Sequence, residues 1–376
     1  MTILKLVFWP WLVSRVWVAM WVYAGHLSHP FRESIPGGYA GVSNWWLNAW
    51  TNFDSVHYLS IAREGYTPQT ATFYPLYPML LKVGGGDENM ASAAGILFSN
   101  LALLWALALL WRLTALDYGP RVAAFCVWMT AFWPTSAFFS AVYTESVFLL
   151  FFVAAFWNAR GNRWGRAALW ALAAALTKNI GFLIAAALWL TWIQANRSNR
   201  ESSAPHRLAI FAPCLPLAGF IAVQWYLGSL FGALSGVQSQ QLYGRAPSWP
   251  WIPLWKDTLN VLSGRALELT TMLHLGLALA AIAIAWRDRK RQPLSYTLLL
   301  AGLMLMQLGY SRISPPHTIA TARYLSTCFP FLQRTAVRVE ALCCEAPRLR
   351  QVILALIYAL VCAVMSYLFG QKSFLG

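Results

Sequence analysis

Long apolar runs recur along almost the whole chain and constrain its fold more than any other feature. Eleven of them are long enough to cross all or half of a hydrocarbon layer of about 30 Å. They cover 4–26, 90–112, 120–139, 142–158, 167–178, 180–194, 208–232, 267–286, 294–310, 322–336 and 351–369. Only 11% of the 376 residues are charged, against roughly a quarter in soluble proteins. So few charges cannot solvate a water-exposed surface, and the sequence predicts an all-α polytopic protein in contact with membrane lipid.

The net charge of +15 comes from short basic segments between the apolar runs. These segments contain Arg160, Arg163 and Arg166; Arg197, Arg200 and Arg207; Arg287, Arg289, Lys290 and Arg291; and Arg334, Arg338, Arg348 and Arg350. Such clusters mark the cytoplasmic ends of membrane spans. The distribution lacks the single basic patch typical of nucleic-acid binding, and we expect no nucleic-acid partner.

The apolar stretch 167–194 has two interpretations, one long span or two short ones that enter and return. Basic clusters flank it on both sides, at 160–166 and 197–207. Both clusters belong on the cytoplasmic side, which favours the entering and returning pair 167–178 and 180–194. Thr177-Lys178-Asn179 is then the tip of a hairpin that reaches toward the opposite face.

With these assignments the chain forms one membrane domain over 1–376 with two long external segments. The first external loop covers 27–89 and the second covers 233–266. Within the first loop, apolar residues recur at helical spacing over 44–62, which predicts an amphipathic helix in or near the membrane interface.

Polar side chains near the span ends gather on the external side in this topology. They are Asp54, His57, Glu64, Tyr143, Thr144, Glu145, Thr177, Lys178, Asn179, Arg312, His317 and Arg323. Placing an ionisable group in a membrane costs free energy, so such groups usually have a function. We therefore expect an active site on the non-cytoplasmic face.

Asp54 and His57 are i, i+3 neighbours if the segment is helical, and Tyr58 follows Asp54 at i, i+4. A carboxylate beside an imidazole can deprotonate a hydroxyl group. The same spacing also fits an interfacial helix on which Asp54 and His57 are merely solvated or cap a turn.

Three further segments have two interpretations each. The run 73–78, with two prolines and three aromatics, is either a loop at the membrane surface or a wall for a sugar or isoprenoid. Glu145 fits a sugar-hydroxyl ligand, or a helix start capped by its neighbours. Lys178 and Arg323 suit a phosphate group, or extend toward lipid headgroups.

We find no nucleotide-binding loop, no metalloprotease motif and no nucleophile elbow in a suitable context. The missing nucleotide fold favours a donor carried on a lipid. Asp54 and Glu145 could share a metal ion, but no ligand cluster requires one, so we expect no essential cofactor and leave a divalent metal open.

In their order, these segments resemble the GPI mannosyltransferase 2 family (phosphatidylinositol glycan class V). The stretch 50–66 resembles its first-loop signature, W-D-x-x-H-[YF]-L-x-I-A-x-x-G-Y, and 73–78 the following F-[FY]-P-x-[YF]-P. The stretch 136–146 is similar to the family's next block, and 177–181 resembles its T-R-S-N-G motif. Arg323-Tyr324 together with Phe329-Pro330 resembles the family's late R-Y…F-P element. Trp50 stands further from the acid than in the pattern, Lys178 replaces an Arg, and Ile180 stands where a Gly is usual.

The resemblance implies a GT-C glycosyltransferase fold of about 9–11 transmembrane helices and a polyprenyl-phosphate-sugar donor. It assigns Asp54 as the general base on the acceptor hydroxyl and His57 as the residue that orients the base or the sugar. Glu145 would bind sugar hydroxyls, and Lys178 and Arg323 would stabilise the departing lipid phosphate. The matched blocks add five substrate-binding candidates, Tyr58, Tyr74, Tyr143, Asn179 and Tyr324.

The expected function is an inverting transfer of a hexose, with mannose as the first candidate, to a lipid-linked or glycan acceptor. The compact chain suggests a bacterial relative in the cytoplasmic membrane with its site facing outward, or an endoplasmic reticulum protein if the source is eukaryotic. The alternative is a transporter or flippase of a lipid-linked saccharide, although such proteins usually hold their polar groups near the midplane.

Overall fold

The computed structural model describes residues 3–28, 42–85, 87–198, 210–265, 268–344 and 347–373. Their regular secondary structure is almost entirely helical. The helices are α1 (Ile3–Ser28), α2 (Trp45–Asn48), α3 (Asp54–Glu64), α4 (Leu76–Val83), α5 (Glu88–Tyr118), α6 (Pro120–Ala131), α7 (Glu145–Arg160), α8 (Trp164–Thr177), α9 (Leu183–Ser198), α10 (Cys214–Phe231), α11 (Ser235–Leu242), α12 (Trp251–Leu262), α13 (Leu269–Arg287), α14 (Leu294–Gly309), α15 (Thr321–Ser326), α16 (Phe329–Cys344) and α17 (Arg348–Gly370). Two short strands, β1 (Arg245–Pro247) and β2 (Tyr310–Arg312), form an antiparallel ribbon. Parts of the predicted external loops (29–41, 86 and 266) and of one basic cluster (Arg200 and Arg207) lie outside the described residues.

Five helices in the described part of the chain are long and apolar enough to cross a membrane. They are Lys5–Ser28, Glu88–Tyr118, Cys214–Phe231, Leu269–Arg287 and Arg348–Gly370. The other predicted spans correspond to shorter helices, among them the apolar α14. The all-α membrane architecture is therefore confirmed, while the number of spans stays a prediction.

Two of the predicted spans differ from the structure, and a proline lies close to each difference. The span expected over 120–139 ends as a helix at Ala131, because Pro134 disfavours helical backbone in the residue before it. A 3-10 turn over Ser136–Phe139 follows. The span expected over 322–336 is divided into α15 and α16, and Pro330 lies in the first turn of α16, where its missing N–H is tolerated.

The stretch 167–194 is interrupted, as predicted. Helix α8 ends at Thr177, a 3-10 turn covers Asn179–Phe182, and α9 begins at Leu183. One continuous span over 167–194 is therefore wrong. The return of the chain to the same side of the membrane stays a prediction.

The chain divides into two compact units, each built from separated stretches. Unit 1 contains 1–66, 76–150 and 332–375, and unit 2 contains 67–75 and 151–331. The single domain expected over 1–376 stays a prediction, and each unit is described by itself below.

In unit 1, α1 and α17 cross at close range. A Cβ atom on Gly25 would lie 2.0 Å from the carbonyl oxygen of Tyr367, and one on Gly370 would lie 2.0 Å from that of Val22. Glycine on both helices therefore allows this backbone contact, as small residues do between membrane helices.

Arg15 of α1 is buried in unit 1 and is held entirely by oxygen atoms of the chain. Its guanidinium donates to the carbonyl oxygens of Ala131 (2.9 Å) and Ser136 (3.2 Å) and to the hydroxyls of Ser14, Ser136 and Ser140. These contacts give Arg15 the geometry of a structural link between helices. It ties α1 to the end of α6 and the turn that follows.

The amphipathic helix expected over 44–62 is two helices. The Asn44 side chain accepts the backbone N–H groups of Trp46 and Leu47 and so begins α2. The chain then turns through Phe53, whose φ of 52° lies in the left-handed region, and α3 begins at Asp54. The turn sets the direction of α3, and with it the position of the predicted base.

Candidate active site

The predicted general base lies at the start of a helix in unit 1. Asp54 is the first residue of α3 and is half-buried. Its backbone N–H donates to the hydroxyl of the fully buried Tyr143 at 2.9 Å. A carboxylate at a helix N-terminus is favoured by the helix dipole. Tyr143 therefore holds the backbone of the residue that carries the proposed base.

His57 lies one turn further along α3, and the helix confirms the predicted i, i+3 spacing. Burial lowers the pKa of the imidazole, and the Asp54 carboxylate opposes this shift. Burial is the larger of the two effects. His57 is therefore neutral near pH 7 and can both accept and donate a hydrogen bond.

Glu145 begins α7 and is fully buried. The neighbouring Thr144 hydroxyl lies 3.5 Å from the hydroxyl of Tyr58, whose ring meets that of Tyr77 edge to face at 5.2 Å. Burial raises the pKa of Tyr77; the hydrogen bond with Ser99 lowers it, and the Glu145 charge raises it further. We name Asp54, His57, Tyr58, Tyr143 and Glu145 the acid cluster.

Two buried cations share an aromatic ring in unit 2. Lys178 follows the last residue of α8, and its Nζ lies 5.2 Å from the ring centroid of Tyr324. Arg323 lies on α15, with its Cζ 5.8 Å from the same centroid. Only 9% of Lys178 and 6% of Arg323 are exposed. These three residues, called the cation cluster below, concentrate positive charge where little water reaches it.

Gly181 allows the 3-10 turn after Lys178 to pack directly against α8. A Cβ atom at this position would lie 2.5 Å from Cα of Ala175 and 2.6 Å from the carbonyl oxygen of Ala174. Any other residue would push the 3-10 turn away from α8. Sequence reasoning noted Gly181 only as part of the resemblance, although a glycine directly after a polar helix end is a usable signal for such a contact.

Three buried side chains from three helices fix the loop that leads to Arg323. The Asp257 carboxylate of α12 accepts the backbone N–H groups of His317 (2.9 Å) and Thr318 (2.7 Å) and the Thr318 hydroxyl (2.7 Å). In the same loop, the Gln307 amide of α14 donates to the Ile319 carbonyl at 2.7 Å. His274 of α13 accepts the N–H of Ala322 through Nδ1 at 3.4 Å.

Sequence reasoning missed these anchors. Asp257 is fully buried, whereas Trp251, Trp255 and Leu259 on the same helix are exposed. This inverted pattern, polar inside and apolar outside, is what a helix facing lipid requires. It could have identified Asp257 as a buried anchor.

Unit 2 also contains a cavity of about 410 Å³. Its polar lining consists of Thr72, Tyr74, Asn179, Gln224, Gln240, Arg245, Gln307, Tyr310 and Tyr324. The Gln224 amide donates to the Tyr74 hydroxyl at 2.7 Å, and burial raises the pKa of Tyr74. Amides and hydroxyls of this kind are suited to the hydroxyl groups of a sugar, and the volume lies in the range of small-molecule sites.

The predicted site residues therefore fall into two groups. The acid cluster lies in unit 1, while Tyr74, Lys178, Asn179, Arg323 and Tyr324 lie in unit 2. Within unit 2, Tyr74, Asn179 and Tyr324 line the cavity, and Tyr324 also contacts both cations. The expected meeting of all these segments on one outer face stays a prediction.

Within the described residues, no three His, Cys, Asp or Glu side chains are grouped so that they could hold a metal ion. Chemically, the acid cluster offers a half-buried carboxylate beside a neutral imidazole. The cation cluster offers buried positive charge beside a cavity lined by amides, hydroxyls and the guanidinium of Arg245. The former can accept a proton, and the latter can stabilise an anion.

The chain is similar to several known proteins. A family model described as mannosyltransferase (PIG-V) matches residues 13–223. Among solved structures, ArnT from Cupriavidus metallidurans bound to undecaprenyl phosphate is similar, with a TM-score of 0.51 and 12% identity, over 96% of this chain and 76% of that one. The apo state of ArnT gives a TM-score of 0.48 and 11% identity over 96% and 76%. The apo form of the Archaeoglobus fulgidus oligosaccharyltransferase gives a TM-score of 0.46 and 12% identity, over 97% of this chain and 56% of that one. No curated protein matches the sequence. The likeness to undecaprenyl-phosphate-bound ArnT confirms the expected GT-C fold.

Proposed function

The chain belongs to the mannosyltransferase (PIG-V) family, and we propose that it transfers a hexose from a polyprenyl-phosphate donor to a lipid-linked or glycan acceptor. Mannose is the first candidate for the sugar. The integral membrane glycosyltransferase fold supports a lipid-carried substrate. ArnT, which shares the fold, was crystallised with undecaprenyl phosphate, and this supports a polyprenyl carrier for the donor.

The observation that carries the proposal is the cation cluster beside the cavity. When a sugar leaves a polyprenyl phosphate, the bond between the anomeric carbon and the phosphate oxygen breaks, and the phosphate gains negative charge. Lys178 and Arg323 are buried, so their attraction for that charge is weakly screened. Tyr324 contacts both cations and also lines the cavity, whose amides and hydroxyls suit the sugar.

The acid cluster supplies the other half of the proposed reaction. The acceptor hydroxyl attacks the anomeric carbon, and its proton passes to the Asp54 carboxylate. The configuration inverts because the displacement is single. His57, neutral through burial, orients Asp54 or the sugar, and Glu145 with Tyr58 binds hydroxyl groups. We assign no metal ion to the reaction.

We further propose that the reaction takes place on the non-cytoplasmic side of a bacterial cytoplasmic membrane. The arginine-rich segments between apolar runs support this orientation, because they favour the cytoplasm. A lipid-carried donor is consistent with it, since nucleotide sugars are confined to the cytoplasm.

The test is sugar transfer by the purified protein in lipid nanodiscs. Radiolabelled mannosyl polyprenyl phosphate is supplied with a panel of glycolipid acceptors, and Asp54→Asn is compared with wild type. We expect the variant to lose about 10²–10⁴-fold in rate, the range for a positioned general base. Glu64→Gln, an exposed acid at the other end of α3, is the matched control and should keep its activity.

Undiminished transfer by Asp54→Asn would remove Asp54 from the chemistry. Failure of wild type to transfer to any acceptor, together with movement of the labelled lipid across a proteoliposome membrane, would instead establish a transporter.

A further inference from the structure

The hydroxyl of Tyr310 is an unused hydrogen-bonding group at the cavity of unit 2. Tyr310 begins β2 and lines the cavity. Its backbone is fixed, because it pairs with Pro247 in the ribbon and the N–H of Ser248 donates to the neighbouring Gly309 carbonyl at 2.9 Å. The hydroxyl is buried and has no hydrogen-bond partner among the described residues. Such a group costs free energy, so its partner has to come from outside the chain.

Two glutamine side chains of the same cavity are oriented by hydroxyl groups. The Gln224 amide donates to the Tyr74 hydroxyl at 2.7 Å, and the Gln240 amide donates to the Thr72 hydroxyl. Within the described part of the chain, the carbonyl oxygens of both amides make no further hydrogen bond. The cavity therefore offers fixed acceptors in addition to the Tyr310 donor.

These groups match the chemistry of a sugar. Each sugar hydroxyl donates one hydrogen bond and can accept others, as a serine hydroxyl does. Burial raises the pKa of Tyr310, so the phenol keeps its proton near pH 7 and can donate it. Phe182 and Phe220, with ring centroids 4.8 Å apart, give the same cavity an aromatic wall for the apolar side of a sugar ring.

The neighbours of the cavity indicate which sugar it receives. Tyr324 lines the cavity and contacts both Lys178 and Arg323. The proposed function assigns the phosphate of the donor lipid to these two cations. The sugar that leaves is bonded directly to that phosphate through one oxygen atom. The cavity is therefore placed for the sugar that is transferred.

We propose that Tyr310 determines which hexose is transferred, by donating a hydrogen bond to one hydroxyl of the donor sugar. The inference rests on the proposed function, and Gln224 and Gln240 accept hydrogen bonds from other hydroxyls of the same sugar. A site built to bind a substrate hydroxyl discriminates against an analogue that lacks it, because the protein group is then left buried without a partner.

The experiment combines a change in the protein with changes in the sugar. The donors are mannosyl polyprenyl phosphate and its monodeoxy analogues, each of which lacks one sugar hydroxyl. With one acceptor throughout, kcat/KM is measured for wild type and for Tyr310→Phe, which keeps the ring and removes only the hydroxyl. Tyr226→Phe is the matched control, because this tyrosine of α10 is 47% exposed and lies in the same unit.

With the complete sugar, we expect Tyr310→Phe to lower kcat/KM about tenfold, as the loss of one buried hydrogen bond does. With one of the deoxy donors the variant should equal or exceed wild type, because that donor already lacks the bond. The other deoxy donors should keep the tenfold difference, and Tyr226→Phe should match wild type with every donor. An equal loss with every donor, or a loss with none, would overturn the proposal.

Binding without acceptor separates this proposal from the proposed function. We expect wild type to bind mannosyl polyprenyl phosphate more tightly than bare polyprenyl phosphate. Tyr310→Phe should lose about tenfold in affinity for the mannosyl lipid and none for the bare lipid. That result supports the sugar site even if no transfer is found. Equal affinity of wild type and variant for the mannosyl lipid overturns it.

Thermal unfolding without lipid tests the competing structural role of Tyr310. The hydroxyl that Tyr310→Phe removes has no partner among the described residues, so the variant should unfold at the wild-type temperature or above. A clearly lower midpoint would show that the hydroxyl stabilises the fold, and would contradict its assignment to the substrate.

Discussion

Arg15 in unit 1 and the cation cluster in unit 2 are both buried positive charges in a membrane protein, but their surroundings differ. The Arg15 guanidinium donates five hydrogen bonds to carbonyl and hydroxyl oxygens of α1, the end of α6 and the turn after it. Lys178 and Arg323 lie beside the Tyr324 ring, and that ring lines a cavity.

The difference teaches how to separate structural from functional charges inside a membrane. A guanidinium surrounded by oxygens of its own chain links helices, and a ligand could reach it only by breaking those bonds. Cations that share an aromatic ring at a cavity wall can attract the charge of a substrate. Intramembrane charges are by default functional candidates, and a cavity beside the charge favours the functional role.

The largest effect is expected when a charge of the cation cluster is removed, which tests its functional role. Lys178→Gln and Arg323→Gln should each lower the transfer rate about 10²–10³-fold, because each removes a charge that stabilises the leaving phosphate. Their thermal unfolding midpoints should stay close to that of wild type. Arg265→Gln, an exposed arginine in unit 2, is the control for loss of charge. Wild-type rates in both variants would show that the cation cluster is structural.

Arg15→Met tests the structural side. The substitution removes the donor of buried oxygens of Ser136 and Ser140 and one of the two donors of the Ala131 carbonyl. We expect a loss of about 3–5 kcal/mol in the free energy of unfolding. Unfolding in detergent micelles, followed by fluorescence, measures it. The rate per folded molecule should be unchanged at low temperature. A stable variant with lost activity would break the comparison.

Asp257→Asn tests whether the loop before α15 positions Arg323. An amide offers one acceptor oxygen where the carboxylate takes three hydrogen bonds from His317 and Thr318, so the loop before α15 should loosen. We expect kcat/KM to fall about tenfold. In an Arg323→Gln background the same change should have little further effect, since both act through one guanidinium. Additive losses would show that Asp257 acts elsewhere.

The smallest effect concerns His57, an ionisable group of unit 1 with a proposed functional role. Burial lowers its pKa and Asp54 raises it, so the titration midpoint should lie below 6.5 in wild type and lower still in Asp54→Asn. Activity that needs the neutral imidazole should therefore be lost only as the pH falls through that midpoint. Histidine NMR of the purified protein measures both values. A midpoint at or above 6.5, or a rise in the variant, would contradict the assignment.

The helices were largely predictable from the sequence. The runs 90–112 and 351–369 lie within α5 and α17, because apolar composition and flanking charged residues define such helices. The end of α6 was missed, although Pro134 offered a signal for it. Local sequence patterns predicted a helix correctly wherever its position depends only on its own residues.

The site was predictable only in part, for a physical reason. Short motifs made Asp54, His57, Lys178 and Arg323 candidates, since charged residues are conspicuous in an apolar chain, and their roles stay a prediction. The Asp257 carboxylate holds His317 and Thr318, which lie 60 and 61 positions further along the chain, and no periodic pattern in the sequence indicates such a contact. Anchors of this kind depend on tertiary contacts.

Binding of undecaprenyl phosphate is the most direct test of the claim that the cation cluster receives a lipid phosphate. Its affinity is measured by equilibrium binding to wild type, to the Lys178→Gln/Arg323→Gln double variant and to Arg15→Met, all confirmed as folded. The account predicts binding by wild type and Arg15→Met and at least a 100-fold loss in the double variant. Wild-type affinity in the double variant, or a loss confined to Arg15→Met, would contradict it.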